Sequence, residues 1–245
     1  MSDPIPSAPV RVGLIHALDE SVVPVHEAFA AEWPEAFYFD LLDTSLAIDR
    51  AHAGQLDARM MTRFRSLADY AAGTEGKNGR TQGILFTCSA FGPAIDAVKP
   101  HLAIPVLRPT ESAFEEAMKL GTAIGLVVTF EPSLNALHTE FEAMAAASGR
   151  QLTVRPLFVE GAMAALKAGD GPEHDRLVEQ ACRQFGAVDG IVLGQFSLAR
   201  AAPLVRTSTD APVLTTVGCA VRALKARCEA KHVEHSLLGS ERNVS

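Results

Sequence analysis

The sequence repeats itself at a fixed distance, and this repeat limits the possible folds more than any other feature. Residues 83–89 (GILFTCS) align with residues 190–196 (GIVLGQF) at an offset of 107 positions (190 − 83). The same offset places residues 105–107 on residues 212–214 with no gap, and both triplets read PVL. Self-similarity over a long, fixed period indicates that one structural unit occurs twice.

Two further pairs support the duplication. Residues 12–15 (VGLI) resemble residues 124–127 (IGLV) at an offset of 112 (124 − 12), and Ser112 aligns with Cys219 at the offset of 107. All α/β units look somewhat alike, so a generic likeness between strands is the alternative. Four features that occur in the same order favour the duplication.

Short apolar runs alternate with helical patterns along the chain, which is typical of parallel sheets. The predicted fold class is therefore α/β, with two similar lobes that each hold a small parallel sheet flanked by helices. We expect a pseudo-twofold relation between the lobes and a site in the cleft between them. The predicted boundaries are residues 10–115 with 212–230 for the N-terminal lobe, 116–211 for the C-terminal lobe and 231–245 for a polar tail.

Composition excludes several classes of protein. The net charge is −7 with no long basic run, which argues against a nucleic-acid partner. No apolar stretch approaches the roughly 20 residues of a membrane span, and the first ten residues lack the pattern of a signal peptide. The four cysteines and eight histidines show no metal-ligand spacing, so we expect reduced thiols, a cytoplasmic location and no metal.

Cys88 occupies the most informative position for chemistry. It follows the apolar run 84–86 and precedes a Gly-Pro pair that can open a helix. In open α/β sheets, ligands bind where strands end and helices begin, and a helix amino end favours negative charge. We therefore expect a thiol with a lowered pKa, or a bound carboxylate, at this point. The alternative is a buried packing cysteine.

These segments resemble the aspartate/glutamate racemase superfamily, which also includes hydantoin racemases, maleate isomerases and arylmalonate decarboxylases. The resemblance covers about residues 10–228 and rests on the order and spacing of the segments at 83–92, 190–198 and 212–214. It implies two lobes, no metal or organic cofactor, a small carboxylate substrate and a homodimer. Racemases of the family use one cysteine from each lobe, on opposite faces of the substrate.

The resemblance assigns roles to individual residues. Cys88 matches the first family cysteine. Ser89 and Ala90 match the positions whose backbone amides hold the substrate carboxylate, and Thr129 and Phe130 match the equivalent turn of the second lobe.

The second family cysteine is replaced by Gln195, which is followed by Phe196. A carboxamide does not exchange a proton near neutral pH, but it can donate a hydrogen bond to a developing enolate. The resemblance therefore implies an isomerase or racemase-like enzyme with cysteine acid/base chemistry beside a carboxylate. The alternatives are a single-cysteine decarboxylase and a non-catalytic protein that binds small carboxylates.

Three other residues are weaker candidates. His16 ends the first strand and is expected at the cleft rim, as a substrate contact or as an ordinary satisfied histidine. Glu111 is either a cleft acid that supplies the second proton or a helix-start acid stabilised by the helix dipole. Cys219 is expected in the core. Residues 43–55 lack a clear period and are predicted as a loop that closes over the ligand.

Overall fold

The chain forms two separate parallel β-sheets covered by helices. A computed structural model describes the backbone of residues 9–241 and the side chains of residues 9–231. The strands are β1 (Arg11–His16), β2 (Phe37–Leu42), β3 (Glu75–Gly76), β4 (Gly79–Phe86), β5 (Val106–Leu107), β6 (Ala123–Val128), β7 (Thr153–Phe158), β8 (Gly190–Leu193) and β9 (Val213–Thr215). The helices are α1 (Val22–Glu32), α2 (Ser45–Ala53), α3 (Ala58–Gly73), α4 (Gly92–Val98), α5 (Glu111–Leu120), α6 (Glu131–Ala147), α7 (Ala162–Lys167), α8 (Gly171–Cys182), α9 (Ala202–Ser208) and α10 (Thr216–Glu241).

The two sheets have the same strand order. The first runs β2-β1-β4-β5 and the second runs β7-β6-β8-β9, with all these neighbours parallel. Within residues 9–241, the short antiparallel pair of β3 with β4 is the one pairing of the first sheet that has no counterpart in the second. The predicted α/β class with two parallel-sheet units is therefore confirmed.

Hydrogen bonds between strands reproduce the offset of 107 found in the sequence. The amide of Ile84 donates to the carbonyl of Pro105 at 2.9 Å, and the amide of Ile191 donates to the carbonyl of Pro212 at the same distance. In each sheet, the acceptor is the proline that begins the repeated PVL triplet.

A second pair of bonds combines both offsets. Thr87 donates its amide to the carbonyl of Ile15 at 3.0 Å, and Gly194 donates to Val127 at 2.8 Å. Thr87 and Gly194 are 107 positions apart, whereas Ile15 and Val127 are 112 apart. The same contact thus closes the carboxyl end of the central strand pair in both sheets.

The helices α5 and α10 exchange sheets. Helix α5 follows β5 of the first sheet but packs on the second sheet, and α10 follows β9 of the second sheet but packs on the first. Glycines allow the close approach: a Cβ on Gly83 would lie 2.8 Å from Sγ of Cys228, and one on Gly190 would lie 2.6 Å from Leu120. Each half therefore contributes one helix to the core of the other.

The lobe boundaries at 10–115 with 212–230, and 116–211, stay a prediction. The contacts divide the chain differently at two places, because β9 pairs with β8 in the second sheet and α5 packs on the second sheet. The assignment of the last helix to the first half agrees with its packing.

Two expected irregular segments are helical instead. Residues 45–53 of the predicted loop form α2, whose one buried residue is Leu46. The last helix continues to Glu241 through most of the predicted tail, and residues 242–245 lie outside the described part of the chain. In the range 9–241, no helix is both long enough and apolar enough to cross a membrane.

Candidate active site

Cys88 lies where the central strand of the first sheet ends. Its backbone is extended, and it directly precedes one turn of 3₁₀ helix, Ser89–Phe91. The residue is partly buried. A recess beside it is too narrow to hold a water molecule. The recess is lined by Ile15, His16, Ala17, Leu46, Phe64, Phe86 and Cys88. Most of the walls around the thiol are therefore apolar.

This environment determines the ionisation of the thiol. Burial raises the pKa of Cys88 to about 11, although the backbone amide of Ala90 opposes the shift. The sequence predicts a lowered pKa, because the amino end of a helix close after Cys88 favours negative charge. The apolar recess reverses that expectation. At neutral pH only about one thiol in 10⁴ is ionised in this form of the site.

Ser89 and Ala90 remain partly exposed beside the cysteine. A ligand that binds next to Cys88 therefore meets polar backbone groups on the turn and apolar side chains beneath it.

Gln195 occupies the corresponding strand end of the second sheet. Its Oε1 accepts two hydrogen bonds from Thr129, one from the amide at 2.7 Å and one from Oγ1 at 3.0 Å. A peptide N–H can only donate, so this contact fixes Oε1 toward Thr129 and turns Nε2 away. Within the side chains described, Nε2 has no partner and is not sealed in the core. The amide of Thr129, predicted to bind the substrate, is instead occupied by Gln195.

The two strand ends are joined by contacts across the halves. The turn Ser89–Phe91 packs against α6 of the second half, and the 3₁₀ segment Phe196–Ala201 packs against α1 of the first half. Phe130, at the start of α6, leaves 49% of its surface exposed. Each site turn therefore rests on the other half of the molecule.

His16 is not at the rim. It is completely buried, with Nε2 3.0 Å from Oδ1 of Asp40 and Nδ1 3.0 Å from the hydroxyls of both Ser21 and Thr87. Burial lowers the pKa of His16, and the Asp40 carboxylate acts in the opposite direction. The prediction of a rim position was wrong because the register of the sheet brings polar side chains over the end of β1.

Glu111 is also held away from substrate chemistry. Its carboxylate contacts Lys99, Nη1 of Arg227 at 2.9 Å and Nε of Arg108 at 3.4 Å, and the side chain is 5% exposed. Burial alone would raise the pKa of Glu111, but Lys99 and the two arginines outweigh it and hold the pKa below its ordinary value. An ionised, triply paired carboxylate is a poor proton donor, which contradicts the expectation of a cleft acid.

Phe196 is core rather than a substrate contact. It is 3% exposed and packs with apolar residues of the first sheet and α10. Cys219 is completely buried, as predicted.

Three polar residues near the site escaped the sequence reasoning: Ser21, Asp40 and Thr87. The signal in the sequence was weak. Asp40 is the one charged residue of an otherwise apolar strand, FYFDLL, and Thr87 directly precedes Cys88.

The comparison with protein families decides the relationship. A family model described as Asp/Glu/Hydantoin racemase matches residues 25–224. The chain belongs to this family. The match covers both sheets apart from β1, and it includes Cys88 and Gln195. No curated protein matched the sequence.

Solved structures of racemases share the fold of this family member. The aspartate racemase of Picrophilus torridus superposes with a TM-score of 0.65 at 11% identity, over 90% of this chain and 94% of that chain. The glutamate racemase isoform RacE1 of Bacillus anthracis gives 0.64 at 14% identity, over 92% and 83%. The allantoin racemase of Pseudomonas fluorescens gives 0.62 at 20% identity, over 89% and 90%.

Proposed function

We propose that this racemase-family protein is a cofactor-independent isomerase. In this proposal Cys88 acts as acid and base at the carbon next to a carboxylate of a small amino-acid-like or dicarboxylate substrate. The observation that carries the proposal is that a partly exposed thiol and a carboxamide with a fixed orientation stand at equivalent strand ends of the two sheets. We also propose a homodimer and a cytoplasmic location, the latter from four free cysteines.

The chemistry requires the substrate carboxylate to be stabilised before proton loss. A hydrogen on the α-carbon of a carboxylate is weakly acidic, because its removal places a second negative charge on the same group. Directed N–H donors lower this cost, and one donor in an oxyanion hole contributes about 2.7–4 kcal/mol. The polar backbone of the Ser89–Phe91 turn and Nε2 of Gln195 are the proposed donors.

Proton transfer then involves one sulfur. The Cys88 thiolate removes the α-proton, an enolate forms, and the same thiol returns a proton to the carbon or to a conjugated position. Gln195 does not exchange a proton at neutral pH, so both transfers take place on one face of the substrate. The isomerisation proposed is therefore the return of the proton to a conjugated position, and return to the α-carbon gives exchange with retention of configuration.

Decarboxylation is a second candidate, and the presence of one thiol and one carboxamide at the two equivalent strand ends favours it, because that reaction needs a single proton donor. A thiol that stays protonated at neutral pH is suited to proton donation. In that reaction the bond between the α-carbon and one carboxylate breaks, carbon dioxide leaves, and the resulting enolate takes the proton of Cys88. Solvent then reprotonates the thiolate.

The test is a screen in deuterated buffer. Amino acids, hydantoins, maleate and substituted malonates are incubated with the protein, and proton NMR follows exchange at the α-carbon, isomerisation and carbon dioxide loss. Exchange or isomerisation without carbon dioxide loss supports the isomerase, whereas conversion of malonates alone supports the decarboxylase. Binding without any turnover would instead favour a protein that only binds carboxylates.

Gln195→Glu tests the proposed donor. Glutamate can still accept both hydrogen bonds from Thr129, but it replaces the outward NH₂ group by an oxygen that repels a carboxylate. We expect turnover of a compound found in the screen to fall by about 10²–10³-fold. Gln180→Glu, an exposed glutamine on α8, is the matched control. Unchanged turnover in folded Gln195→Glu would eliminate the proposed donor.

A further inference from the structure

A polar cluster lies beneath the Cys88 turn, with three buried members and with Asp40 exposed at its edge. It consists of His16, Ser21, Asp40 and Thr87, and it joins the ends of β1, β2 and β4 to the turn before α1. His16 also lines the recess beside Cys88. The proton transfers described above do not use this cluster, yet it is the most densely hydrogen-bonded group of side chains next to the thiol.

The number of hydrogen bonds in the cluster can be compared with the number of protons available to form them. Four contacts of 3.0 Å or less lie on the Nδ1 side of His16: Nδ1 to each hydroxyl at 3.0 Å, Ser21 to Thr87 at 2.8 Å, and Ser21 Oγ to the carbonyl of Leu18 at 2.7 Å. A fifth, longer contact joins Thr87 Oγ1 to the carbonyl of Ile15 at 3.4 Å and is left out of the count. The two hydroxyls supply two protons. In the neutral ring whose Nε2–H faces Asp40, Nδ1 carries no proton and contributes none to these contacts. An imidazolium adds a third proton, which the two hydroxyl oxygens can share, so that all four contacts are served.

On the other side of the ring, a carboxylate favours a positive charge on His16, although burial lowers the pKa of the ring. Nε2 faces a carboxylate oxygen of Asp40 at 3.0 Å, and this carboxylate also accepts a hydrogen bond from His26 at the surface. Asp40 and His26 are the titratable groups whose charges act on His16 from β2 and α1. The nearby carboxylate of Asp43 is bound to Arg63 at 2.7 Å.

We propose that His16 is a positioning residue that allows Cys88 to ionise: when the sulfur loses its proton, Nδ1 of His16 gains one, and Asp40 holds the resulting imidazolium. The S–H bond breaks, an N–H bond forms, and the net charge of the site stays the same. This inference rests on the proposed function, because it takes Cys88 as the reacting group.

The physical reason is the cost of a lone charge in an apolar recess. A thiolate formed alone beside Phe64 and Phe86 loses its hydration without compensation. A thiolate formed together with a nearby imidazolium is stabilised by the opposite charge, which lowers the apparent pKa of the thiol. The two groups then titrate as a pair, and each raises the population of the other's charged form.

The experiment measures Cys88 directly and requires no substrate. Alkylation by iodoacetamide is followed from pH 5 to pH 10 by mass spectrometry of the peptide that contains Cys88. The variants are His16→Gln and Asp40→Asn, with His138→Gln on α6 as a control for the loss of a histidine elsewhere. Circular dichroism confirms that each variant is folded, and Asp40→Asn keeps the test available if His16→Gln does not fold.

Wild type and His138→Gln should show a plateau, in which the rate changes less than about threefold between pH 6.5 and pH 8.5. In His16→Gln the rate should rise about tenfold per pH unit over the same range, as for an isolated thiol of high pKa. Asp40→Asn should also lose reactivity at pH 6.5. Identical pH profiles in wild type and the folded variants would overturn the proposal, as would a Cys88 that does not react at any pH.

The result separates this inference from the proposed function. A plateau that depends on His16 in a protein that turns over no compound of the screen supports the paired ionisation and refutes the enzyme. Turnover that depends on Cys88 without such a plateau refutes the pairing and leaves the enzyme standing.

Discussion

Cys88→Ser is expected to lower the rate of α-proton exchange by about 10²–10⁴-fold, the usual contribution of a positioned acid or base. Serine preserves the size of the side chain and the extended backbone before the Ser89–Phe91 turn. Its hydroxyl is far less acidic than a thiol, so the fraction able to act as a base at neutral pH becomes negligible. The rate is measured by proton NMR in deuterated buffer, with a substrate identified in the screen.

Affinity provides the second part of this prediction. Calorimetry should show that Cys88→Ser still binds the substrate within a few-fold of wild type, because the proposed contacts to the carboxylate come from backbone amides and Gln195. Cys182→Ala is the matched control, since Cys182 is a buried cysteine in the core of the second half. Full exchange activity in folded Cys88→Ser would remove the sulfur from the mechanism.

Glu111→Gln is expected to produce the largest loss of stability, about 2–3 kcal/mol, because it removes a buried carboxylate that accepts hydrogen bonds from three cations, each of which keeps another carboxylate nearby. The carboxylate is 5% exposed and contacts Lys99, Arg108 and Arg227, which come from three different parts of the fold. For a chain of this size the loss corresponds to a fall in melting temperature of roughly 10 °C. Thermal unfolding followed by circular dichroism measures it.

Glu115→Gln is the control for this effect. Glu115 lies on the same helix and approaches Arg227 at 3.7 Å, but it is 48% exposed, so its loss should cost less than about 1 kcal/mol. The pH dependence follows from the lowered pKa of Glu111. The paired carboxylate stabilises the fold fully above its unfolded pKa, near 4.5, and this stabilisation is lost as the pH falls through the folded pKa. The gap between wild type and Glu111→Gln should therefore shrink in acid.

The duplication was the part of the fold most accessible from the sequence. Both offsets reappear as equivalent hydrogen bonds in the two sheets. In the bonds from Thr87 to Ile15 and from Gly194 to Val127, the donors are 107 positions apart and the acceptors 112. Such signals survive because parallel strands buried on both faces need apolar runs, and because close helix packing needs glycine at positions 83 and 190.

The segment 43–55 was mispredicted for a physical reason. Helix α2 buries only Leu46, so it has no apolar stripe that a helical period could reveal. The exchange of α5 and α10 between sheets was only partly accessible, since local pattern does not specify which of two similar sheets a helix covers.

The properties of the candidate site depend on contacts between residues that are distant in sequence. The sequence located Cys88 and Gln195 at equivalent strand ends, but the pKa of the thiol depends on the walls contributed by Phe64 and Leu46. Likewise, Asp40 meets His16 only through the pairing of β1 with β2, which places side chains separated by 24 positions within 3.0 Å.

The most direct test of one-faced proton transfer compares two rates on the same amino-acid or hydantoin substrate. Starting from one enantiomer in deuterated buffer, NMR measures deuterium uptake at the α-carbon, and chiral chromatography measures formation of the other enantiomer. In the proposed scheme Gln195 faces the side of the substrate opposite the sulfur, and a carboxamide does not exchange protons near neutral pH. Uptake should then exceed inversion by at least about 100-fold, because inversion lacks the contribution of a positioned acid or base. Equal rates of uptake and inversion would show that a second acid/base serves the opposite face and would contradict the account.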